Sequence, residues 1–220
     1  MNLQGLTINF LGDSITEGHG VDDVINNRYD NVMKVNCGLK EVRNYGIGGT
    51  RIAHQIRPSA EARWDLNFCG RAACMAPGAD VIVVYGGTND YGHGDAPFGK
   101  MGDCGRDTYC GAVRWLMQYL TANYPDSKIV FMTPAHRLGD LDPAVSEHRY
   151  YPSLPLKAYV DVIKETAKDF PIDVLDLYEN LGIDPNREED LNTYAPDGLH
   201  FNDAGQHVIA KKLQEFLEAL

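Results

Sequence analysis

Five short apolar runs punctuate the chain: Leu6 to Leu11, Val42 to Tyr45, Val81 to Tyr85, Ile129 to Thr133 and Ile172 to Asp176. Their Val and Ile content and nearly continuous hydrophobicity predict strands covered on both faces, as in a parallel sheet, rather than half-exposed alternating strands. Successive runs end roughly 34 to 48 residues apart, which leaves room for a crossover helix each time. Helical spacing is clearest late in the chain. Val113, Leu116, Met117 and Leu120 follow the i, i+3, i+4, i+7 pattern, as do Val160, Ile163, Ala167 and Phe170 more loosely. Val208, Ile209, Leu213, Phe216, Leu217 and Leu220 predict an amphipathic last helix, with Asn202 as its N-cap.

Strands alternating with helices predict an α/β fold: three α/β/α layers around a five-stranded parallel sheet, doubly wound in flavodoxin-like order. No repeat, low-complexity tract or linker divides the chain, so residues 1–220 are expected to form one domain. Two connections, Tyr91 to Asp107 and Pro134 to Pro155, exceed ordinary βα loops and leave the carboxyl edge of the sheet. Ligands bind at that edge in this architecture, so both loops are expected to wall a site.

With 220 residues and 44% hydrophobic content, the chain can bury a full core. A net charge of −11, spread along the chain, repels polyanions and argues against a nucleic-acid partner. No 18-residue apolar span occurs, and Met1 to Gly5 lacks the pattern of a signal peptide. A cytoplasmic protein without a membrane span is the expectation, unless a leader was removed. Five cysteines without a CxxC fit reduced thiols, a Cys104–Cys110 bridge being the alternative.

The chemistry sits where the strands end. Gly12-Asp13-Ser14-Ile15-Thr16 follows the first run and places one of only five serines in a turn. Asp and Ser are also favoured helix N-caps, so this run could simply start a helix. After the second run, Asn44-Tyr45-Gly46-Ile47-Gly48-Gly49-Thr50 lets backbone approach a ligand closely, with the Gly49 N–H as a candidate donor. It misses the dinucleotide fingerprint, because Arg51 stands where a glycine is required. After the third run, Gly86-Gly87-Thr88-Asn89-Asp90 offers a neutral amide, Asn89, able to donate to an oxyanion, or else an Asx-turn. Pro196-Asp197-Gly198-Leu199-His200 precedes the last helix and supplies a base, His200, with Asp197 to orient it, or else an ordinary β-turn.

Across nearly its whole length the chain resembles the SGNH hydrolases, the GDSL family. Gly12-Asp13-Ser14, Asn44 to Gly49, Gly87 to Asp90 and Asp197 to His200 match the family's blocks. The resemblance implies Ser14 as nucleophile, His200 as base, Asp197 as its partner, and an oxyanion hole made by the Ser14 and Gly49 N–H groups and the Asn89 side chain. It implies ester hydrolysis with no metal and no cofactor. The lipase elbow GxSxG is absent, which disfavours the usual α/β-hydrolase topology.

The expected substrate is a small-molecule ester carrying a short acyl group, acetate above all, on a carbohydrate or other small alcohol. Tyr91, His93, His136, His148, Tyr150 and Tyr151 in the long loops are groups able to stack on or hydrogen-bond such a ligand, Tyr91 and His136 foremost. Competing readings are a non-catalytic binding module, a phosphate- or nucleotide-binding flavodoxin-like protein, and a long-chain lipase or acyltransferase. Oligomeric state is not legible in the sequence.

Overall fold

A computed structural model describes residues 1–145 and 149–220; His148 lies outside the described residues. The five apolar runs form strands β1 (Thr7–Gly12), β2 (Glu41–Gly46), β3 (Val81–Tyr85), β4 (Lys128–Met132) and β5 (Ile172–Leu175). They pair in parallel in the order β2-β1-β3-β4-β5. β1 and β3 are buried at every position, whereas β2 and most of β5, at the two edges, are half-buried. The expected continuity of burial thus holds for the inner strands and relaxes where one flank meets solvent.

The helices are α1 (Ser14–Glu17), α2 (Val24–Asn27), α3 (Tyr29–Asn36), α4 (Phe68–Ala72), α5 (Thr88–Gly92), α6 (Tyr109–Asn123), α7 (Leu156–Ala167), α8 (Leu177–Asn180), α9 (Glu188–Tyr194) and α10 (Asp203–Ala219). Side chains alternate across the sheet and feed two cores. Leu11, Ile82, Val84, Ile129 and Phe131 pack with residues of α4, α6 and α7. Ile8, Phe10, Val81, Val83, Val130 and Met132 pack with residues of α3, α8 and α10. Phe170, expected to continue the α7 pattern, falls beyond its end at Ala167, and Leu220 falls beyond α10. Asn202 caps α10 by accepting a hydrogen bond from the Gly205 N–H at 3.1 Å. None of the described helices is long and apolar enough to cross a membrane. All five cysteines are free, so the Cys104–Cys110 alternative is not realised: Cys110 is buried at the start of α6 while Cys104 is exposed.

Strand order reverses between β1 and β3, and at such a switch point the loops diverge and leave a crevice. One side chain ties the floor of that crevice together. Arg71, on α4, donates to the carbonyls of Gly12 at 3.0 Å and Tyr45, to the Thr50 hydroxyl at 2.8 Å, and to the Leu66 carbonyl at 2.7 Å. It joins the ends of β1 and β2 to the glycine loop after β2. Burial pushes its pKa down to about 10, well above neutrality, so the guanidinium stays charged. Arg71→Gln should lower stability by about 1–3 kcal/mol, because partly buried acceptors lose a charged donor; urea unfolding measures the loss, and an unchanged midpoint would contradict this role.

Candidate active site

Gly12 ends β1 because of space, not because of an unusual backbone angle. A Cβ there would lie 2.0 Å from the Thr16 hydroxyl, so α1 can fold back tightly only over a glycine. Asp13 then caps α1, accepting from the Ile15 N–H at 3.0 Å, and Ser14 is the first residue of the helix. The cap and the turn that bears Ser14 are therefore one structure. α1 next meets the end of β2: a Cβ on Gly46 would lie 2.3 Å from the Glu17 amide nitrogen. Glu17 reaches across this contact. One carboxylate oxygen accepts from the Gly48 N–H at 2.7 Å and the other from Arg63 at 2.7 Å. Gly49 follows with φ +76°, and Trp64 packs where its side chain would be, 2.1 Å from an ideal Cβ.

The turn before α10 supplies the opposite wall. The Gly198 N–H donates to the Ala195 carbonyl at 2.8 Å, and Gly198 takes φ +79°. Asp197 accepts from the N–H groups of Leu199 and His200 at 2.9 and 2.7 Å. That turn aims the imidazole. His200 Nδ1 lies 2.6 Å from Asp197 Oδ2, and His200 Nε2 lies 2.9 Å from Ser14 Oγ. Asp197 accepts a hydrogen bond from the Nδ1–H in this network, which leaves Nε2 to accept from the serine hydroxyl. Burial pushes the His200 pKa below its usual value and outweighs the pull of Asp197, and the neighbouring His19 and Arg137 add to the depression. Burial acts to raise the Asp197 pKa, but hydrogen bonds from the backbone and ring of His200 hold it below the ordinary carboxylate value. The His19 ring packs edge-on against that of His200, with centroids 4.2 Å apart.

Asn89, in the first turn of α5, is buried and completes the crevice. Its Nδ2 donates one hydrogen to the Thr50 carbonyl at 3.0 Å, which fixes the amide orientation and leaves Oδ1 to accept from His93 Nε2 at 2.9 Å. Burial pushes the His93 pKa down to about 3, so this ring stays neutral and its Nε2–H holds the amide. The second Nδ2 hydrogen has no acceptor among the described residues, nor do the N–H groups of Ser14 and Gly49. Asp90 beside it accepts from the Ile52 and Ala53 N–H groups at 2.9 and 3.0 Å and anchors the far end of the glycine loop.

The crevice has a volume of about 370 Å³, with Ser14, Gly49, Asn89 and His200 all in its wall. The structure thus brings the four motif segments together. It does not bring Tyr91 or His136 there, which corrects the expectation that these two line the ligand site. Tyr91 is buried, donates to the Gly139 and Asp142 carbonyls at 2.9 Å each, and packs edge-on against Tyr159. His136 pairs with Asp140 at 2.7 Å and lies over the Tyr178 ring with centroids 3.8 Å apart. Both hold the long loops down. Outside the motifs the crevice is lined by Glu17, His19, Arg63, Trp64 and Arg137, and by His93, one of the loop groups expected at a ligand. Arg137 donates to the Thr88 hydroxyl at 3.1 Å. A long loop leaving the carboxyl edge was the one sequence signal for Arg137.

Sequence comparison decides the family. The GDSL-like Lipase/Acylhydrolase family matches residues 10–208, and these include every motif residue in the crevice. The chain belongs to that family. The hydrolase is a carboxylic ester hydrolase with the α/β fold of its structural neighbours. One solved structure is 32% identical over 100% of this chain and 99% of its own, with a TM-score of 0.83. A protein from Lactobacillus plantarum is 29% identical, with 98% of each chain covered and a TM-score of 0.81. A member of the lipolytic protein G-D-S-L family from Veillonella parvula is 18% identical, covers 97% of this chain and 99% of its own, and has a TM-score of 0.63. No functionally curated protein matches the hydrolase.

Asp13 gives a measurable signature of this packing. Burial raises its pKa from 3.8 to about 7, against the opposing effects of the Ile15 N–H and Arg71. A carboxyl that prefers its proton in the folded state contributes stability at low pH, and this is lost as pH rises from about 4 through 7. Relative to Asp13→Asn, which cannot ionise, the parent hydrolase should lose stability across that range in urea titrations at stepped pH. A constant difference would mean that Asp13 is not held protonated.

Proposed function

We propose that the hydrolase is a serine esterase that cleaves short acyl esters, acetyl above all, of a carbohydrate or other small alcohol through an acyl-enzyme. The hydrogen-bonded chain Ser14–His200–Asp197 carries this reading, because it supplies a nucleophile, a base and an orienting carboxylate in working order. Ser14 Oγ attacks the ester carbonyl while His200 Nε2 takes its proton, and Asp197 stabilises the imidazolium that forms. The developing oxyanion accepts from the Ser14 and Gly49 N–H groups and from the free Nδ2 hydrogen of Asn89, three donors fixed before the substrate arrives. His200 returns its proton to the departing alcohol, and a water activated by the same base releases the acid.

The small acyl group is supported by the shape and lining of the crevice. Charged and polar groups, Glu17, Arg63 and Arg137 among them, share the crevice wall with the flat Trp64 ring. A long alkyl chain would have to desolvate those groups without replacing their hydrogen bonds.

Ser14→Ala should abolish hydrolysis of p-nitrophenyl acetate while leaving Tm nearly unchanged, and Asn89→Ala should lower kcat by about 10²–10³-fold. Retained turnover in Ser14→Ala would refute the nucleophile assignment, and faster cleavage of octanoyl than of acetyl esters would refute the acyl preference. The pH profile is a separate test. The base acts only when neutral, and its pKa is held down, so the acid limb of kcat/KM should lie below the ordinary histidine value of about 6.5. Removing a neighbour that disfavours the imidazolium, in His19→Gln, should move that limb upward in a pH–rate titration. A limb above the ordinary value in the parent enzyme would overturn the charge assignment.

A further inference from the structure

A second cavity, of about 510 Å³, adjoins the crevice and shares Trp64 and His93 with it as common wall. Its remaining wall brings together three guanidinium groups, those of Arg51, Arg57 and Arg149. Such a cluster is notable in a chain whose net charge is −11.

None of the three forms an ion pair with a carboxylate among the described residues. Arg51, buried, donates to the Ser59 hydroxyl at 2.8 Å and to the carbonyls of Trp64 and His93 at 3.2 and 2.9 Å. Arg149 donates to the carbonyls of Tyr151 at 3.1 Å and Tyr91 at 2.7 Å. The Arg57 guanidinium lies over the Tyr150 ring, 4.1 Å from its centroid. Stacking of this kind holds the plane and leaves its N–H edge open to a ligand. Arg63, by contrast, is matched by Glu17 on the crevice side.

Three acids, Asp95, Asp65 and Asp90, lie near enough to Arg51 to favour its charged form. Asp95 is the one carboxylate in the wall, and it accepts from the Tyr150 N–H at 2.5 Å. Asp65, behind it, is held by the Ser59 N–H and hydroxyl at 2.9 and 2.7 Å, and Asp90 by the Ile52 and Ala53 amides. His93 adds no charge, since its Nε2–H is committed to Asn89 and its Nδ1 is left as an acceptor. The wall itself holds three guanidinium groups against one carboxylate, and their planar donors suit a carboxylate ligand.

We propose that this cavity is an anion subsite, and that the hydrolase prefers esters that carry a carboxylate beyond the scissile bond. The preference rests on Ser14 esterase action as proposed above; binding of the anion does not. Two matched pairs locate the carboxylate: 4-acetoxybenzoate against its methyl ester places it on the alcohol, and p-nitrophenyl hemisuccinate against its methyl ester places it on the acyl group. In at least one pair the anionic member should have a kcat/KM roughly tenfold higher, mainly through KM, and the margin should shrink at about 1 M salt. Arg57→Glu should reverse that margin and Arg57→Gln should remove most of it.

Tryptophan fluorescence provides the arm that does not need turnover. Titration of Ser14→Ala with 4-hydroxybenzoate should show saturable binding that the methyl ester lacks and that Arg57→Glu abolishes. If acetyl esters are cleaved in a Ser14-dependent manner but neither anionic member is favoured, the subsite is wrong and the esterase reading stands. If no ester is cleaved yet the carboxylate binds, the reverse holds. Equal binding of acid and methyl ester, or binding indifferent to Arg57→Glu, overturns the subsite.

Discussion

The site depends on a backbone contact that only glycine permits. α1 lies so close to β2 that the Glu17 amide occupies the space a Gly46 side chain would need, and Thr16 does the same at Gly12. This approach sets the distance between the turn that bears Ser14 and the loop that bears Gly49. Glu17 reinforces it from above through the Gly48 N–H, and Arg71 from below through the carbonyls of Gly12 and Tyr45. Since a donor misplaced by an ångström loses much of its effect, the glycines act on chemistry through geometry alone.

The same economy recurs at each motif. Asp13 and Asp197, which read as cap and turn residues, are such, whereas Asn89, which could have read as an Asx-turn, lies inside α5. Asp13 caps α1, Asp197 closes the turn before α10 by accepting from two amides, and Gly87, with φ +109°, opens α5. The local structure these residues favour is what directs Ser14, His200 and Asn89 into one crevice. Local preference and chemistry do not compete here, which is why short motifs carry so much information in this fold.

Much of the fold was legible because buried parallel strands are continuous apolar runs, and each of the five strands was found to within about a residue of the run that announces it. The long helices α6, α7 and α10 were legible from their spacing. The short ones were not. A helix of four residues, such as α2 or α8, has no room for a period, and its N-terminus is held by a single carboxylate, Asp23 or Asp176. At the site, motif residues could be read because their neighbours in sequence shape their turns. Tyr91 and His136 could not, since whether a loop aromatic faces ligand or core depends on partners far along the chain, here Tyr159 and Tyr178. Arg71 went unnoticed for the same reason, as three of its four acceptors lie 21 to 59 residues away.

Ser14 and His200 are separated by 186 residues, so the bond between them closes a loop that spans most of the chain. During synthesis the turn that bears Ser14 emerges well before the turn that bears His200. β2, β3, β4 and β5 all lie between them in sequence. Such long-range closure is slow to form. The rate at which Ser14 Oγ gains its hydrogen bond to His200 during refolding therefore reports that long-range closure at a single oxygen atom.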